Sequence, residues 1–225
     1  MTNHLPVPAI GARFSRRGFL GFASGCLAVG AVAGLSPAHA ASDTAQKIAD
    51  HFSSVTSMTG EFVQFGPRGE QTGGKFYLQR PGKVRFNYEA PSAYQVISDG
   101  KSVAIDNSKL NTMDLYPLSK TPLKLLLDTR IDLSGSKVTS VKEDEDLTTI
   151  KLSDKSVFGN STITMMFDPK SYELRQWTIT DNQGKDTTIM IFNVKQGVSI
   201  DPKTFKVDYE RNLELNSPSR RQRGG

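Results

Sequence analysis

Hydrophobic residues alternate with polar ones through most of the chain that follows residue 58. A period of two is typical of β-strands, whose successive side chains point to opposite faces of a sheet. Turn-forming pairs separate many of these segments, notably Gly66-Pro67, Pro81-Gly82 and Asp99-Gly100. The pattern predicts one mainly β domain with about eleven antiparallel strands, at residues 59–65, 73–80, 83–88, 94–99, 101–107, 112–116, 137–142, 147–152, 161–168, 173–180 and 186–195.

A helical period precedes the strands. Between residues 42 and 58, apolar side chains recur three or four positions apart, at Ala45, Ile48, Phe52 and Val55. Ser42 or Asp43 is placed to cap the first turn of this helix. Its single apolar stripe predicts that it lies on the sheet.

A second helix interrupts the strands at residues 119–130, SKTPLKLLLDTR. Thr121 is a candidate cap and Pro122 suits the first helical turn. Four leucines follow, Leu123, Leu125, Leu126 and Leu127. A helix this short is not stable alone, so we expect it to dock on the rest of the domain.

The hairpin from Gly74 to Pro91 has the clearest turn, Arg80-Pro81-Gly82. One face of its two strands is rich in large apolar side chains, and Arg80 stands at the end of that apolar row. A guanidinium in this position can donate hydrogen bonds to backbone carbonyls of another element.

Two later strands, 161–168 and 186–195, carry apolar residues on both faces. A sheet with one solvated face alternates more strictly, so both faces are expected to be covered. Two explanations remain open: a sheet covered by helices or by a second sheet, and a curved sheet whose concave side encloses a cavity for an apolar ligand.

The first 40 residues have the pattern of a signal peptide. Three arginines precede an apolar run from Gly18 to Leu35, and Ala38-His39-Ala40 supplies the small residues of a cleavage site. The segment from Ser15 to Leu20 resembles a twin-arginine export signal, with an ordinary Sec signal as the alternative. A transmembrane helix in the same run and lipidation at Cys26 are further alternatives.

Removal of this segment changes the charge of the protein. The remaining chain has 25 basic and 23 acidic residues, because the first 40 contain three arginines and no acid. Several of the basic residues lie near the C-terminus, so the high isoelectric point does not indicate nucleic-acid binding. Residues 209–225 are expected to form an arginine-rich, disordered tail.

Few residues beyond residue 40 are suited to catalysis. Cys26 leaves with the signal and His51 is the one remaining histidine, which argues against a hydrolytic triad and a structural zinc site. The acidic run at residues 143–146 is better explained as a solvated turn than as a calcium site. No acidic pair is marked as a glycosidase pair, so we expect neither an enzyme nor a cofactor.

Several segments, in order and over residues 42–208, resemble the periplasmic outer-membrane lipoprotein carrier (LolA) family. These are 60–64 (GEFVQ), 74–86 (GKFYLQRPGKVRF), Pro91, 98–101 (SDGK) and 121–123 (TPL). The resemblance implies an unclosed half β-barrel whose concave apolar face is covered by a lid of short helices. It also implies a role for Arg80, which would hold the lid shut by hydrogen bonds to lid carbonyls while the cavity is empty.

The resemblance further implies a monomer that takes acylated lipoproteins from an inner-membrane ABC-type complex to the outer membrane. Delivery to an outer-membrane receptor and direct delivery to the membrane both stay open. Candidate cavity residues are Phe62, Leu78, Val84, Phe86, Val96, Ile105, Leu123, Leu126 and Leu127. The chain departs from the family pattern at Ala104, where carriers often have tryptophan. Alternatives are a relative that binds another amphiphile, a non-transport periplasmic domain, and an esterase or glycosidase.

Overall fold

The computed structural model describes residues 43–131, 133, 138–156 and 159–217. The predicted signal peptide, its cleavage site, Ser42 and residues 218–225 lie outside these ranges. No helix of the described residues is long and apolar enough to cross a membrane.

Eleven antiparallel strands form one sheet, which confirms the predicted fold class. The order across the sheet is β6-β5-β4-β3-β2-β1-β11-β10-β9-β8-β7, so β1 pairs with both β2 and β11 and the sheet stays unclosed. The strands β1 to β11 are Ser57–Phe65, Gln71–Gln79, Lys83–Tyr88, Tyr94–Asp99, Ser102–Asn107, Thr112–Pro117, Val138–Glu143, Thr148–Ser156, Gly159–Phe167, Leu174–Thr180 and Asp186–Gln196.

In the part of the chain that the structure describes, three α-helices accompany the sheet: α1 at Asp43–Ser54, α2 at Leu123–Leu127 and α3 at Tyr209–Asn216. Single 3₁₀ turns lie at Leu118–Lys120 and Pro202–Phe205.

Helix α1 ends four residues earlier than the sequence pattern predicts. Ser57 and Met58 belong instead to β1, where they pair with Gln79 and Leu78 of β2. The apolar side chain of Met58 is compatible with either element, and the strand pairing of its backbone decides between them.

The inner face of the sheet, defined as the face on which α1 and α2 lie, carries the main core. Ile48 and Phe52 of α1 and Leu126 and Leu127 of α2 are almost fully buried there. Alternate strand residues on this face complete the core, among them Phe76, whose ring stacks on that of Phe86. Each buried side chain of this size stabilises the fold by about 1.5–3 kcal/mol relative to exposure.

The outer face is covered at β4, β5 and β6 by the C-terminal segment. A smaller core of Ile97, Ala104, Met113 and Val207 lies there, with Leu215 of α3 packed against it. The prediction that residues 209–225 form a disordered tail is therefore wrong for residues 209–216, which form α3.

Among the described residues, none covers the outer side of β11 in this way. Met190 and Phe192 are 44% and 43% exposed, whereas Ile189 and Ile191 on the inner side are buried. Within the described residues, the prediction that both faces of this strand are covered is wrong.

Candidate functional site

The turn between β2 and β3 caps the C-terminal end of α2. Arg80 Nη1 donates to the carbonyl oxygens of Leu126 at 2.7 Å and Asp128 at 2.9 Å. The backbone N–H of Gly82 donates to the carbonyl oxygen of Leu127 at 3.0 Å. A helix leaves its last carbonyls without intrahelical partners, and this turn supplies donors to them. A cation at a helix C-terminus also interacts favourably with the helix dipole.

Arg80 also reaches α1. Its Nε donates to the carbonyl oxygen of Val55 at 3.2 Å, just after the helix ends, and its guanidinium carbon lies 4.5 Å from the centre of the Phe52 ring. A guanidinium over an aromatic face is attracted by the ring quadrupole. One side chain thus connects the β2–β3 turn to both helices of the inner face.

Burial lowers the pKa of Arg80 to about 10, and the nearby carboxylate of Asp128 opposes part of that shift. The side chain therefore remains a cation at neutral pH. Its Nη2 is buried and has no hydrogen-bond partner among the described residues. A buried cation whose N–H donors are not all hydrogen-bonded costs free energy. The arrangement in which Arg80 contacts α2 therefore includes an unfavourable contribution from this buried nitrogen.

The N-terminal end of α2 differs from the prediction. Pro122 occupies the cap position and no side chain caps the helix. Thr121 was the predicted cap, but its Oγ1 donates to the carbonyl oxygen of Leu118 in the preceding 3₁₀ turn. The hydroxyl closes that turn because the acceptor lies only three residues away.

A cavity of about 310 Å³ lies between α2 and the inner face of the sheet. Its lining is mainly apolar, and the described residues that form it include no histidine, cysteine or carboxylate. The lining residues are Gln64, Phe86, Tyr88, Val96, Val103, Ile105, Tyr116, Thr121, Pro122, Leu123, Ile179, Thr187 and Ile189. A pocket of this size and composition suits an apolar ligand rather than acid–base chemistry.

Four of the nine candidate cavity residues line this cavity: Phe86, Val96, Ile105 and Leu123. The other five lie on the same face but pack into the core, where none is more than 4% exposed: Phe62, Leu78, Val84, Leu126 and Leu127. For these five, the structure shows core packing.

Sequence reasoning missed the part of the cavity formed by β10 and β11. Ile179 and Ile189 line it together with Phe86, although they lie about a hundred residues further along the chain. Their alternation places them on the inner face, but alternation does not show that β1 pairs with β11 as well as with β2.

The polar groups outside this cavity include no candidate metal site within the described part of the chain. Among the described residues, no three His, Cys, Asp or Glu side chains form a group that could hold a metal ion. His51 is exposed on α1, with its ring 5.8 Å from that of Tyr172.

Comparison with known proteins agrees with this architecture. The family model of the outer membrane lipoprotein carrier protein LolA matches residues 53–208. A protein named outer-membrane lipoprotein carrier protein from Pseudomonas aeruginosa is 29% identical over 197 residues, covering 81% of this chain and 92% of the relative. One of the same name from Methylococcus capsulatus is 28% identical over 162 residues, covering 68% and 77%.

Among solved structures, a LolA superfamily protein from Nitrosomonas europaea matches 73% of this chain and 96% of its own, with a TM-score of 0.41 and 10% identity. The resemblance found in the sequence is confirmed by the family model, which spans more than half of the chain. The chain belongs to the LolA family of outer membrane lipoprotein carrier proteins.

Proposed function

We propose that this protein is a periplasmic carrier that binds the acyl chains of lipoproteins between the sheet and α2. The observation that carries the proposal is the position of Arg80, which ties α2 over an apolar cavity through backbone carbonyls. In this mechanism α2 is a lid, and Arg80 holds it closed while the cavity is empty.

Release of cargo is the physical problem that such a lid solves. Burial of an acyl chain stabilises the complex by about 0.8 kcal/mol per CH₂, so a cavity with no opposing cost would retain its cargo. Hydrogen bonds of a charged donor contribute about 1.5–3 kcal/mol, and loading must break those between Arg80 and the lid. The empty, closed state then competes with the loaded one, which makes binding reversible.

Loading also displaces side chains. Leu126 and Leu127 of α2 are buried against the inner face, and the cavity lined by Leu123 of the same helix has a volume near the lower limit for a ligand pocket. An incoming acyl chain therefore takes the place of lid leucines, exchanging one apolar contact for another. The difference between the two states is small enough to be shifted by a membrane or a partner.

The family and the predicted signal peptide support a periplasmic setting. In this proposal the chain is exported and acts in the periplasm without catalysing a reaction. It receives acylated lipoproteins from an inner-membrane ABC-type releasing complex and delivers them to an outer-membrane receptor.

The test is to identify what the protein carries. Protein purified from the periplasm without detergent is analysed by native mass spectrometry, alongside an Ile105→Trp variant that fills the cavity and a Met190→Trp control on the exposed outer side of β11. We expect a triacylated lipoprotein on the wild type and on the control, and none on the cavity variant. A glycolipid adduct, or equal loading of all three proteins, contradicts the proposal.

A further inference from the structure

The apolar cavity contains a hydrogen-bonded polar pair. Tyr88, at the end of β3, donates from its hydroxyl to Oε1 of Gln64 in β1 at 2.6 Å, and both side chains line the cavity. A polar pair among apolar side chains costs desolvation, and a single hydrogen bond returns only part of that cost. Apolar residues would fill the same space without this desolvation cost. We therefore look for a function of the pair.

The pair spans an intervening strand. Gly74 of β2 pairs with both Phe62 of β1 and Tyr88 of β3, so three strands align in one row. The Tyr88 ring meets the Phe62 ring edge-on, with 5.0 Å between the ring centres. The hydroxyl of Tyr88 thereby reaches Gln64, two residues beyond Phe62.

The direction of this hydrogen bond determines what the pair can bind. Burial raises the pKa of Tyr88 to about 12, so its hydroxyl stays protonated at physiological pH. The hydroxyl faces the carbonyl oxygen of the Gln64 amide, which leaves the amide nitrogen on the other side. That nitrogen has two N–H donors and no hydrogen-bond partner among the described residues.

We propose that Gln64, oriented by Tyr88, binds a carbonyl oxygen of an acyl ester at the polar end of the cargo's acyl chains. The inference rests on the proposed function, because it assigns a polar subsite within the same cavity. Gln64 is the binding residue and Tyr88 is a positioning residue. An ester carbonyl is the matching group because it accepts hydrogen bonds, carries no charge and joins directly to acyl chains, which the surrounding side chains favour.

The test compares two amphiphiles of equal chain length, a diacylglycerol with ester linkages and its dialkyl ether analogue, which lacks the carbonyls. The measured quantity is the ratio of their dissociation constants for the full-length mature protein. We expect the wild type to prefer the ester about three- to tenfold, as one buried neutral hydrogen bond would give. Gln64→Leu should bind both amphiphiles equally.

Two further variants separate the roles. Tyr88→Phe should reduce the ester preference without abolishing it, because the amide stays in place but loses its orientation. Gln95→Leu is the matched control, since Gln95 lies on the outer face and is bonded to Arg85. That variant should keep the wild-type preference.

Each outcome bears on a different claim. An ester preference that persists in Gln64→Leu, or a wild type with no preference, overturns the subsite and leaves the carrier function standing. A wild type that binds neither amphiphile overturns both. The assignment is supported if Gln64→Leu loses the ester preference while its affinity for the ether analogue stays unchanged, and if Gln95→Leu keeps the preference.

Discussion

Two short helices, α2 and α3, lie on opposite faces of the same half-barrel and are held in different ways. Helix α2 inserts two leucines into the main core and is tied at its C-terminal end by Arg80. Helix α3 has no buried residue of its own and is attached by side chains at its surface. There, Arg211 pairs with Asp106 at 2.7 Å and Asn212 donates to the carbonyl oxygen of Met113.

The difference indicates which helix is suited to move. The contacts of α2 are apolar burial, which an acyl chain can replace, and a few hydrogen bonds from Arg80 and from the Gly82 backbone. The contacts of α3 are mainly specific polar pairs, together with Leu215 on the smaller outer core, and an apolar ligand cannot imitate the polar pairs. We therefore regard α2 as the mobile lid and α3 as a fixed strap on the outer face.

The largest expected effect is on the packing of α2. Leu126→Ala removes a side chain that is 1% exposed and should lower the free energy of unfolding by about 2–5 kcal/mol, measured by urea denaturation. The matched change in α3 is Leu213→Ala, at a side chain that is 71% exposed. This variant should change the free energy of unfolding by less than about 0.5 kcal/mol. Equal effects at the two sites would remove the distinction between the helices.

The next effect concerns release of cargo. Arg80→Leu should still take up lipoprotein but retain it about ten- to a hundredfold more tightly, because the empty closed state loses its charged hydrogen bonds. Transfer of bound lipoprotein to acceptor membranes measures this. Arg85→Leu is the control: Arg85 lies on the outer face, where it donates to the Thr204 carbonyl and to Asn87. Normal release by Arg80→Leu would contradict the role assigned to Arg80.

A smaller effect is expected at the outer strap. The Arg211–Asp106 pair is partly exposed, with 28% and 17% of the two side chains accessible, so its contribution is that of a screened ion pair. Asp106→Asn should lower the free energy of unfolding by at most about 1 kcal/mol. Hydrogen exchange should quicken in α3 while cargo release stays unchanged. A release defect in this variant would show that α3 takes part in gating.

The strands were predictable from the sequence because alternation and turn chemistry are local. All eleven predicted strands are present, and most boundaries agree within one or two residues. The inner face of the β2–β3 hairpin follows from the same alternation, as does the placement of Arg80 at its end.

What the sequence could not supply depends on distant partners. Helix α3 has few apolar residues, and the groups that fix it lie about a hundred positions earlier in the chain, at Asp106 and Met113. The sequence also does not show which inner-face residues pack in the core and which line the cavity. Phe62 and Phe86 alternate identically, but only Phe86 lies where the lid leaves space. That division is set by where α2 rests, which local patterns do not encode.

The smallest expected effect tests whether lid and strap act independently. The free energies of unfolding of Arg80→Leu, Asp106→Asn and the double variant form a thermodynamic cycle. The two side chains lie on opposite faces of the sheet and share no hydrogen-bond partner among the described residues. Their effects should therefore add within about 0.5 kcal/mol. A larger coupling would mean that the sheet transmits strain between its faces, and α3 could then no longer be treated as a fixed strap.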